Sequence, residues 1–345
     1  MTRIIMQMRR RSERLAWIAF ALAVTASAAA DEPRLWLERM NAALTSRNYD
    51  GVFAHWQDGK VEMLRIIHRN QNGKVTERLA SLDGSGREFI RTGTELACYL
   101  PDKRTVLVES QSGQQGSLLA SFPSFDEKSA DYYDIQELTR TRLNRRTTRV
   151  IAVTPRDEFR YGYRLWIDES TAMPLKTQLC DAHGRVIEQV VFASLTLASR
   201  IPDSAFKPEV ATDGFQWLRN DPRSVGPEPP NTMALWSALK LPPGFRMTVR
   251  SAQVMPGAHD PVAHLVFTDG LASVSVFVES RSEVLRPDQQ PVAGVANVGS
   301  SSAFSTVIDG HKVTAVGEVP PATVRFIASS VTRSEPALSV APPGH

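Results

Sequence analysis

The fold is decided by residues 51–82, which read GVFAHWQDGKVEMLRIIHRNQNGKVTERLASL. Three runs in this stretch are rich in β-branched and aromatic residues, which favour strands. The runs are separated by Asp58-Gly59 and Asn72-Gly73, dipeptides that favour the two-residue turns of β-hairpins. Because a hairpin joins neighbouring strands, the stretch predicts an antiparallel meander and excludes a parallel α/β sheet.

The same strand pattern extends along most of the 345-residue chain. Helical spacing of apolar residues predicts helices over 31–45, briefly around Trp236, and over 324–331. The Gln-, Ser- and Gly-rich segment 110–129 predicts a long loop. The other predicted strands cover residues 87–91, 96–100, 105–109, 142–153, 160–168, 175–181, 186–197, 247–253, 263–268, 272–278 and 312–318. We therefore expect an α+β fold made mostly of antiparallel strands.

The first 30 residues have the features of a secretory signal peptide. Five arginines against one glutamate precede an apolar run over residues 15–26, and Ala28-Ala29-Ala30 supplies a cleavage site. The apolar run is too short for a spanning helix, which needs about 20 residues. We therefore predict an exported protein that resides in the periplasm.

The charge of the mature protein argues against nucleic-acid binding. The whole chain carries 40 basic and 37 acidic residues. Removing residues 1–30 takes away five basic residues and one acidic residue, which leaves 35 against 36. The mature protein is therefore nearly neutral and lacks the positive charge on which phosphate-backbone binding depends.

Composition divides the mature chain into two domains, as its length also suggests. Six prolines fall between residues 200 and 232 and indicate an interdomain connection. The predicted organisation is a signal peptide over 1–30, a large domain over 31–211, a Pro-rich linker over 212–230, a small domain over 231–333 and a flexible tail over 334–345.

The sequence contains none of the common catalytic or metal-binding motifs. G-x-S-x-G, H-E-x-x-H, P-loop and G-x-G-x-x-G patterns are missing, and no two histidines are four residues apart. Two cysteines cannot build a Cys₄ zinc site. We therefore predict that the protein is not an enzyme and needs neither a metal nor a cofactor.

The two cysteines, Cys98 and Cys180, lie on two predicted strands of the large domain. An oxidising compartment permits a disulfide, worth roughly 3–5 kcal/mol in the chain-entropy model. Two separate buried thiols are the alternative, since a bridge requires Cα atoms within about 7 Å. Strand order decides between these interpretations.

Apolar side chains occupy both faces of the early strands, where Leu64 and Ile66 alternate with Met63 and Ile67. A sheet with one solvated face alternates apolar and polar residues, so both faces here should be covered. The cover is either a closed protein core or, on one side, a helix together with a bound ligand. The candidate residues for lining an acyl chain are Phe53, Trp56, Leu64, Ile66 and Trp166. Phe53 and Trp56 point to opposite faces, and the geometry of the sheet decides which of the two faces inward.

A basic cluster surrounds a predicted hairpin. It consists of Arg140, Arg142, Arg145, Arg146 and Arg149. The cluster is either a solvated strand face or a contact for an anionic headgroup or an acidic peptide.

Short motifs follow one another over almost the whole mature chain. Those of the first domain are YDGVF (49–53), ERL (77–79), LDG (82–84), REF (87–89), YYD (132–134), RYGY (160–163), LWID (165–168) and MPLK (173–176). Those of the second domain are Trp236, LPPGF (241–245), TDGL (268–271), SVF (275–277) and GEVPPA (317–322). Each is weak alone, but in this order the chain resembles the MucB/RseB family, periplasmic regulators of the sigma-E envelope-stress response.

The resemblance implies a fold, a partner and a signal. The fold is a large open half-barrel similar to the lipoprotein carriers (LolA-like), with a smaller α+β C-terminal domain and a strand at Trp236. The partner is the periplasmic domain of a membrane anti-sigma factor (RseA/MucA-like), which the protein shields from the site-1 protease. The release signal is a lipid, lipopolysaccharide or lipoprotein acyl chain bound in the half-barrel.

The resemblance leaves several features open. Cys180 and segment 110–129 have no counterpart in the family pattern, so it implies neither a disulfide nor a role for that segment. The oligomeric state is also open, with a homo-oligomer as one option. A second hypothesis, a periplasmic lipoprotein or lipid carrier, shares the half-barrel. The small domain discriminates against it, because a simple carrier would end near Ala211.

Overall fold

A computed structural model describes residues 32–110, 118–119, 129–220, 236–253, 262–279 and 294–333. The predicted signal peptide, most of segment 110–129, most of the linker and the predicted tail lie outside these ranges. The described residues form two domains, each built on its own sheet.

The large domain contains one sheet of 12 strands. They are β1 (Tyr49–Gln57), β2 (Lys60–Gln71), β3 (Lys74–Ser81), β4 (Glu88–Thr92), β5 (Glu95–Leu100), β6 (Thr105–Ser110), β7 (Tyr133–Leu143), β8 (Arg146–Pro155), β9 (Gly162–Asp168), β10 (Pro174–Cys180), β11 (Val186–Leu197) and β12 (Gln216–Asn220). Their order is β12-β6-β5-β4-β3-β2-β1-β11-β10-β9-β8-β7. Two antiparallel meanders therefore meet where β1 pairs with β11. The hairpin signals in residues 51–82 correctly predicted that β1, β2 and β3 follow one another as antiparallel neighbours.

One helix, α1 (32–46), covers one face of this sheet. Trp36, Leu37 and Met40 are buried in a core that includes side chains from most strands of the sheet. The apolar residues of the helix recur at spacings of one, three and four, which places them on a single stripe. The predicted helix over 31–45 is thus confirmed to within one residue at each end.

The hairpin β7–β8 differs from the prediction, which had a single strand over residues 142–153. Asn144 and Arg145 form its two-residue turn with φ angles of 48° and 66°. Both central residues of a type I′ turn need a positive φ, and arginine is an unusual residue there. The turn therefore carries a weak sequence signal, which is why a hairpin was predicted at the basic cluster but its turn and its first strand were not located.

The predicted linker over 212–230 is wrong at its beginning. Gln216–Asn220 forms β12, which pairs with β6 in the single parallel ladder of the described sheet. Phe215 also packs against the cluster of Tyr99, Val106 and Val108. The large domain therefore extends beyond residue 211. The sequence permits a strand at this point, since no proline lies between Pro208 and Pro222.

The disulfide between Cys98 and Cys180 is not formed. Both cysteines are free thiols. Cys98 lies on β5 and Cys180 on β10, with five strands between them in the sheet order. Neighbouring strands are about 4.8 Å apart, so the separation along the sheet is about six such spacings. The alternative interpretation, two separate thiols, is the one that the structure supports.

The small domain packs one helix, α2 (Pro321–Ser329), against a six-stranded antiparallel sheet. The sheet strands are β14 (Arg246–Gln253), β15 (Val262–Thr268), β16 (Ser273–Glu279), β17 (Gly294–Val298), β18 (Ser301–Ile308) and β19 (His311–Gly317), in the order β14-β15-β16-β19-β18-β17. A separate ladder joins β13 (Trp236–Ala238) to β20 (Val331–Arg333). Trp236 is therefore in a strand, and the short helix suggested by its spacing is wrong.

These observations confirm the predicted fold class. The protein is mostly antiparallel β, with a large open sheet and a smaller, separate sheet domain.

Candidate functional site

A buried ion pair joins the two domains. Arg160, just before β9, directs Nη1 to Asp269 Oδ2 at 2.7 Å, and neither side chain has exposed surface. Its Nη2 donates to the carbonyl of Pro243 at 2.6 Å, and its Nε pairs with Asp157 at 3.0 Å. We call Asp157, Arg160, Pro243 and Asp269 the arginine clamp.

Local turns hold the acceptors of the arginine clamp in place. Asp269 follows β15, and its Oδ1 accepts the amides of Leu271 and Ala272 at 2.8 and 2.7 Å. Its other oxygen is left to accept Arg160, and the Tyr133 hydroxyl lies 3.3 Å from that same oxygen. One carboxylate thus closes its own turn and binds the other domain.

Aromatic rings enclose the guanidinium of Arg160. The ring centres of Tyr132, Tyr133 and Phe245 lie 4.8, 5.5 and 5.4 Å from its central carbon. Burial and the Asp269 charge raise the pKa of the Tyr133 hydroxyl, so that group remains a neutral donor. Cation–π contacts strengthen when water is excluded, so these rings favour the charged arginine in a buried position.

A second group of polar side chains crosses the interface near the C-terminal end of β1. We call His55, Gln57, Glu188, Ser300 and Glu318 the acid cluster. Ser300 Oγ lies 2.8 Å from Glu188 Oε2 and 2.5 Å from Glu318 Oε1. Gln57 Nε2 lies 3.0 Å from that Glu188 oxygen and 3.2 Å from Ser300 Oγ. His55 Nε2 pairs with Glu188 Oε1 at 3.0 Å.

Direct packing completes the interface. Thr323 of α2 donates to the carbonyl of Phe159 at 2.7 Å. The rings of Phe159 and Phe326 meet edge to face at 5.4 Å between centres. Several motifs that carry the family resemblance therefore meet here: YYD, RYGY, LPPGF, TDGL and GEVPPA.

An open groove of about 510 Å³ runs between α1 and the turn that joins β9 to β10. Trp36 and Ala43, which are largely buried, and Ala172 form its apolar part, and the exposed arginines Arg39 and Arg47 and the acidic Glu169 also line it. Cavities of this size hold drug-sized ligands. The arrangement suits an amphiphile with an apolar tail and an anionic head.

The five predicted lining residues do not share one face of the sheet. Phe53 and Ile66 are buried in the main core, and Leu64 packs against that core. Trp56 lies three residues after Phe53 in the same strand, so its side chain points to the opposite face. Trp166 lies between the buried Leu165 and Ile167 and is likewise on the opposite face.

Trp166 instead contacts a cation. Lys176 Nζ lies 4.4 Å from the centre of the Trp166 ring. Burial lowers the pKa of that lysine. The two tryptophans therefore cannot line one acyl chain together with Phe53, Leu64 and Ile66, because the sheet lies between the two sets.

Three of the five arginines of the basic cluster are paired with carboxylates. Arg140 pairs with Glu137 and Glu169, Arg146 with Asp168, and Arg149 with Glu32, Glu137 and Glu169. These pairs neutralise much of the charge that an anionic ligand would contact. The structure favours the strand-face interpretation of this cluster over a ligand contact, and it adds that three of the arginines on that face are ion-paired and not simply solvated.

Within the described ranges, no three His, Cys, Asp or Glu side chains are grouped so that they could hold a metal ion. None of the described helices is both long and apolar enough to cross a membrane.

The fold and the interface define the class of this chain: a two-domain antiparallel β protein, with a small sheet-and-helix domain docked on a large open sheet. Residues 32–210 match the MucB/RseB N-terminal domain, and residues 230–332 match the MucB/RseB C-terminal domain. The chain belongs to the MucB/RseB family.

Relatives with regulatory names match along most of the chain. The sigma factor AlgU regulatory protein MucB of Pseudomonas aeruginosa is 32% identical over 312 residues, which cover 90% of this chain and 93% of that protein. The sigma-E factor regulatory protein RseB of Salmonella typhimurium is 29% identical, with 91% and 95% covered. A solved complex of Pseudomonas aeruginosa MucA and MucB matches with a TM-score of 0.66 and 27% identity, covering 88% of this chain and 100% of the matched chain.

Proposed function

We propose that this protein is a periplasmic negative regulator of sigma-E-type signalling. It binds the periplasmic part of a membrane anti-sigma factor and protects that factor from regulated proteolysis. It acts by binding and not by catalysis. One observation carries the proposal: both domains match a family of sigma factor regulatory proteins, and a solved relative is in complex with MucA.

The small domain supports this function over that of a lipid or lipoprotein carrier. It is docked on the large sheet through buried charges, and it accounts for a third of the described fold. A carrier needs only the half-barrel. The two functions make different predictions about what the protein captures from the envelope.

The first test is direct binding. The chain without residues 1–30 is titrated with the purified periplasmic segment of the anti-sigma factor from the same genome, by calorimetry. We expect a Kd in the micromolar range or tighter, about −8 kcal/mol or better. Saturating protein should also slow cleavage of that segment by the site-1 protease. Capture of lipoproteins without any binding of the segment would instead support the carrier function.

We further propose that the large domain senses lipid through the groove along α1. Phe53, Leu64 and Ile66 lie beneath the helix, so an acyl chain reaches them only when α1 lifts from the sheet. The groove offers apolar contact at Trp36 and positive charge at Arg39 and Arg47 for an anionic headgroup. A lipid, lipopolysaccharide or lipoprotein acyl chain fits this description.

Replacing both Arg39 and Arg47 with alanine should weaken binding of lipopolysaccharide about 30-fold. Each cation near an anionic lipid surface contributes about 1 kcal/mol, and two contribute about 2 kcal/mol. The measurement is a fluorescence titration with labelled lipopolysaccharide at fixed salt. Arg34→Ala is the matched control, because Arg34 is exposed on the same helix but does not line the groove. Equal loss in the control would place the headgroup elsewhere.

Lipid and anti-sigma binding should oppose each other. A stress sensor has to release its partner when the signal arrives, and linkage makes the effect reciprocal. Saturating lipopolysaccharide should raise the Kd of the anti-sigma complex 5- to 150-fold, equivalent to about 1–3 kcal/mol. The Kd is measured with and without lipid by the same calorimetry. Values that agree within twofold would refute release by lipid and leave the binding function intact.

A further inference from the structure

The acid cluster brings two carboxyl groups from different domains to one hydroxyl. Glu188 belongs to β11 of the large sheet, and Glu318 follows β19 of the small domain. Glu188 is 6% exposed and Ser300 is 4% exposed. Water therefore has little access to the point where the carboxyl groups meet.

Counting hydrogens shows that the acid cluster needs an added proton. The Gln57 amide has two protons, which serve Glu188 and Ser300. The Ser300 hydroxyl has one proton, yet its oxygen lies 2.8 Å from Glu188 and 2.5 Å from Glu318. Each of these oxygen–oxygen contacts requires a hydrogen between the two atoms. The second hydrogen must come from one of the two carboxyl groups, because an ionised carboxylate is only an acceptor.

We propose that docking of the small domain onto the large sheet is coupled to the binding of one proton, which Glu188 and Glu318 share through Ser300. When the domains separate, Glu318 leaves the neighbourhood of Glu188 and can ionise in water. Two carboxylates so close together cannot both ionise without strong repulsion. The docked arrangement is therefore favoured by acid and weakened by base, independently of any lipid or partner.

The charges around the acid cluster agree with this direction. Burial, followed by the neighbouring Glu188, raises the pKa of Glu318, while the Ser300 hydroxyl and the charge of His55 oppose this shift without reversing it. The Glu188 carboxylate, which accepts from His55 Nε2, raises the pKa of His55, with smaller contributions from Glu62 and Glu318. The remaining ionisable groups that face the cluster are Asp58, Tyr161 and Tyr163, and burial raises the pKa of both tyrosines.

The sign of the pH dependence follows from these shifts. A group whose pKa is higher in the docked state contributes to docking below its ordinary pKa, which is 4.5 for Glu318. That contribution is lost as the pH rises from there through the raised value. His55 and Glu188 both belong to the large sheet, so their pair persists after separation and adds little to the difference.

The test uses an amide that reports docking. The N–H of Gly299 donates to the Asp58 carboxylate across the interface at 2.9 Å. Its hydrogen-exchange protection, corrected for the intrinsic rate at each pH, measures the docking equilibrium even when nearly all molecules are docked. We expect wild-type protection to fall at least tenfold as the pH is raised from 4.5, the ordinary pKa of Glu318, to 7.5. Glu318→Gln, which resembles the protonated carboxyl, should stay strongly protected and vary less than twofold.

Two further variants complete the experiment. Glu279→Gln is the matched control, because Glu279 pairs with Lys312 within the small domain, and it should retain the wild-type pH dependence. Glu188→Gln should flatten the dependence through the other carboxyl group, which covers the case in which Glu318→Gln does not fold. Protection that is independent of pH in the wild type, or an unchanged slope in both glutamine variants, would overturn the proposal.

Discussion

Replacing Arg160 with methionine should lower the free energy of unfolding by about 3–5 kcal/mol, the cost of breaking a buried ion pair by removing one partner. Methionine retains much of the apolar contact with the rings of Tyr132 and Phe245. It leaves Asp269 without its cation in a site that has no exposed surface. Urea unfolding followed by tryptophan fluorescence measures the change.

Two companions to Arg160→Met make its result specific. Arg185→Ala removes an ion pair with Asp181 whose arginine is 79% exposed, and it should cost less than about 1 kcal/mol. Adding Asp269→Asn to Arg160→Met should recover part of the loss, because the buried charge is removed while Oδ1 still accepts its turn amides. A loss below 1 kcal/mol for Arg160→Met would mean that the clamp is hydrated in solution.

Replacing Gly244 with alanine should be nearly as damaging, at about 2–5 kcal/mol. Gly244 has a φ of 81°, and left-handed backbone costs other residues about 1–2 kcal/mol. A Cβ there would also lie 2.5 Å from Tyr132 Cζ, which forces the two domains apart. Such overpacking typically adds roughly 1–3 kcal/mol. Urea unfolding again measures the loss.

The matched control separates strain from overlap. Gly214 has a φ of 73°, and a Cβ added there meets nothing within 4 Å. Gly214→Ala should therefore cost only the backbone strain, and the difference between the two variants measures the overlap with Tyr132. Equal losses in the two variants would show that the methyl group added at Gly244 does not overlap Tyr132 in solution.

Local signals were sufficient for most of the strands. The hairpins at Asp58-Gly59 and Asn72-Gly73 and the helix over 32–46 were predicted because turn residues and apolar spacing act over a few positions. The strand at Gln216–Asn220 was missed, because the surrounding prolines indicated a linker. Its partner, β6, lies more than 100 residues earlier in the chain.

The candidate binding residues were predicted only in part. Apolar content on both faces of the early strands correctly indicated that the sheet is covered, and Phe53, Leu64 and Ile66 do lie together. The sequence left open whether Phe53 or Trp56 faces inward, and the structure places Trp56 and Trp166 on the face opposite Phe53. Composition alone cannot distinguish the two faces until one residue of each strand is known to be buried.

The sequence by itself determined the fold class, the family, the antiparallel meander and the division into two domains, because these depend on short-range patterns and ordered motifs. Only the tertiary structure decided that Arg160 pairs with Asp269, that Glu188 meets Glu318, and that the cysteines stay apart. The two contacts join residues more than 100 positions apart, and all three outcomes depend on strand order or domain docking. Burial strengthens the interactions between these charged groups, since the same pairs in water would contribute little to stability.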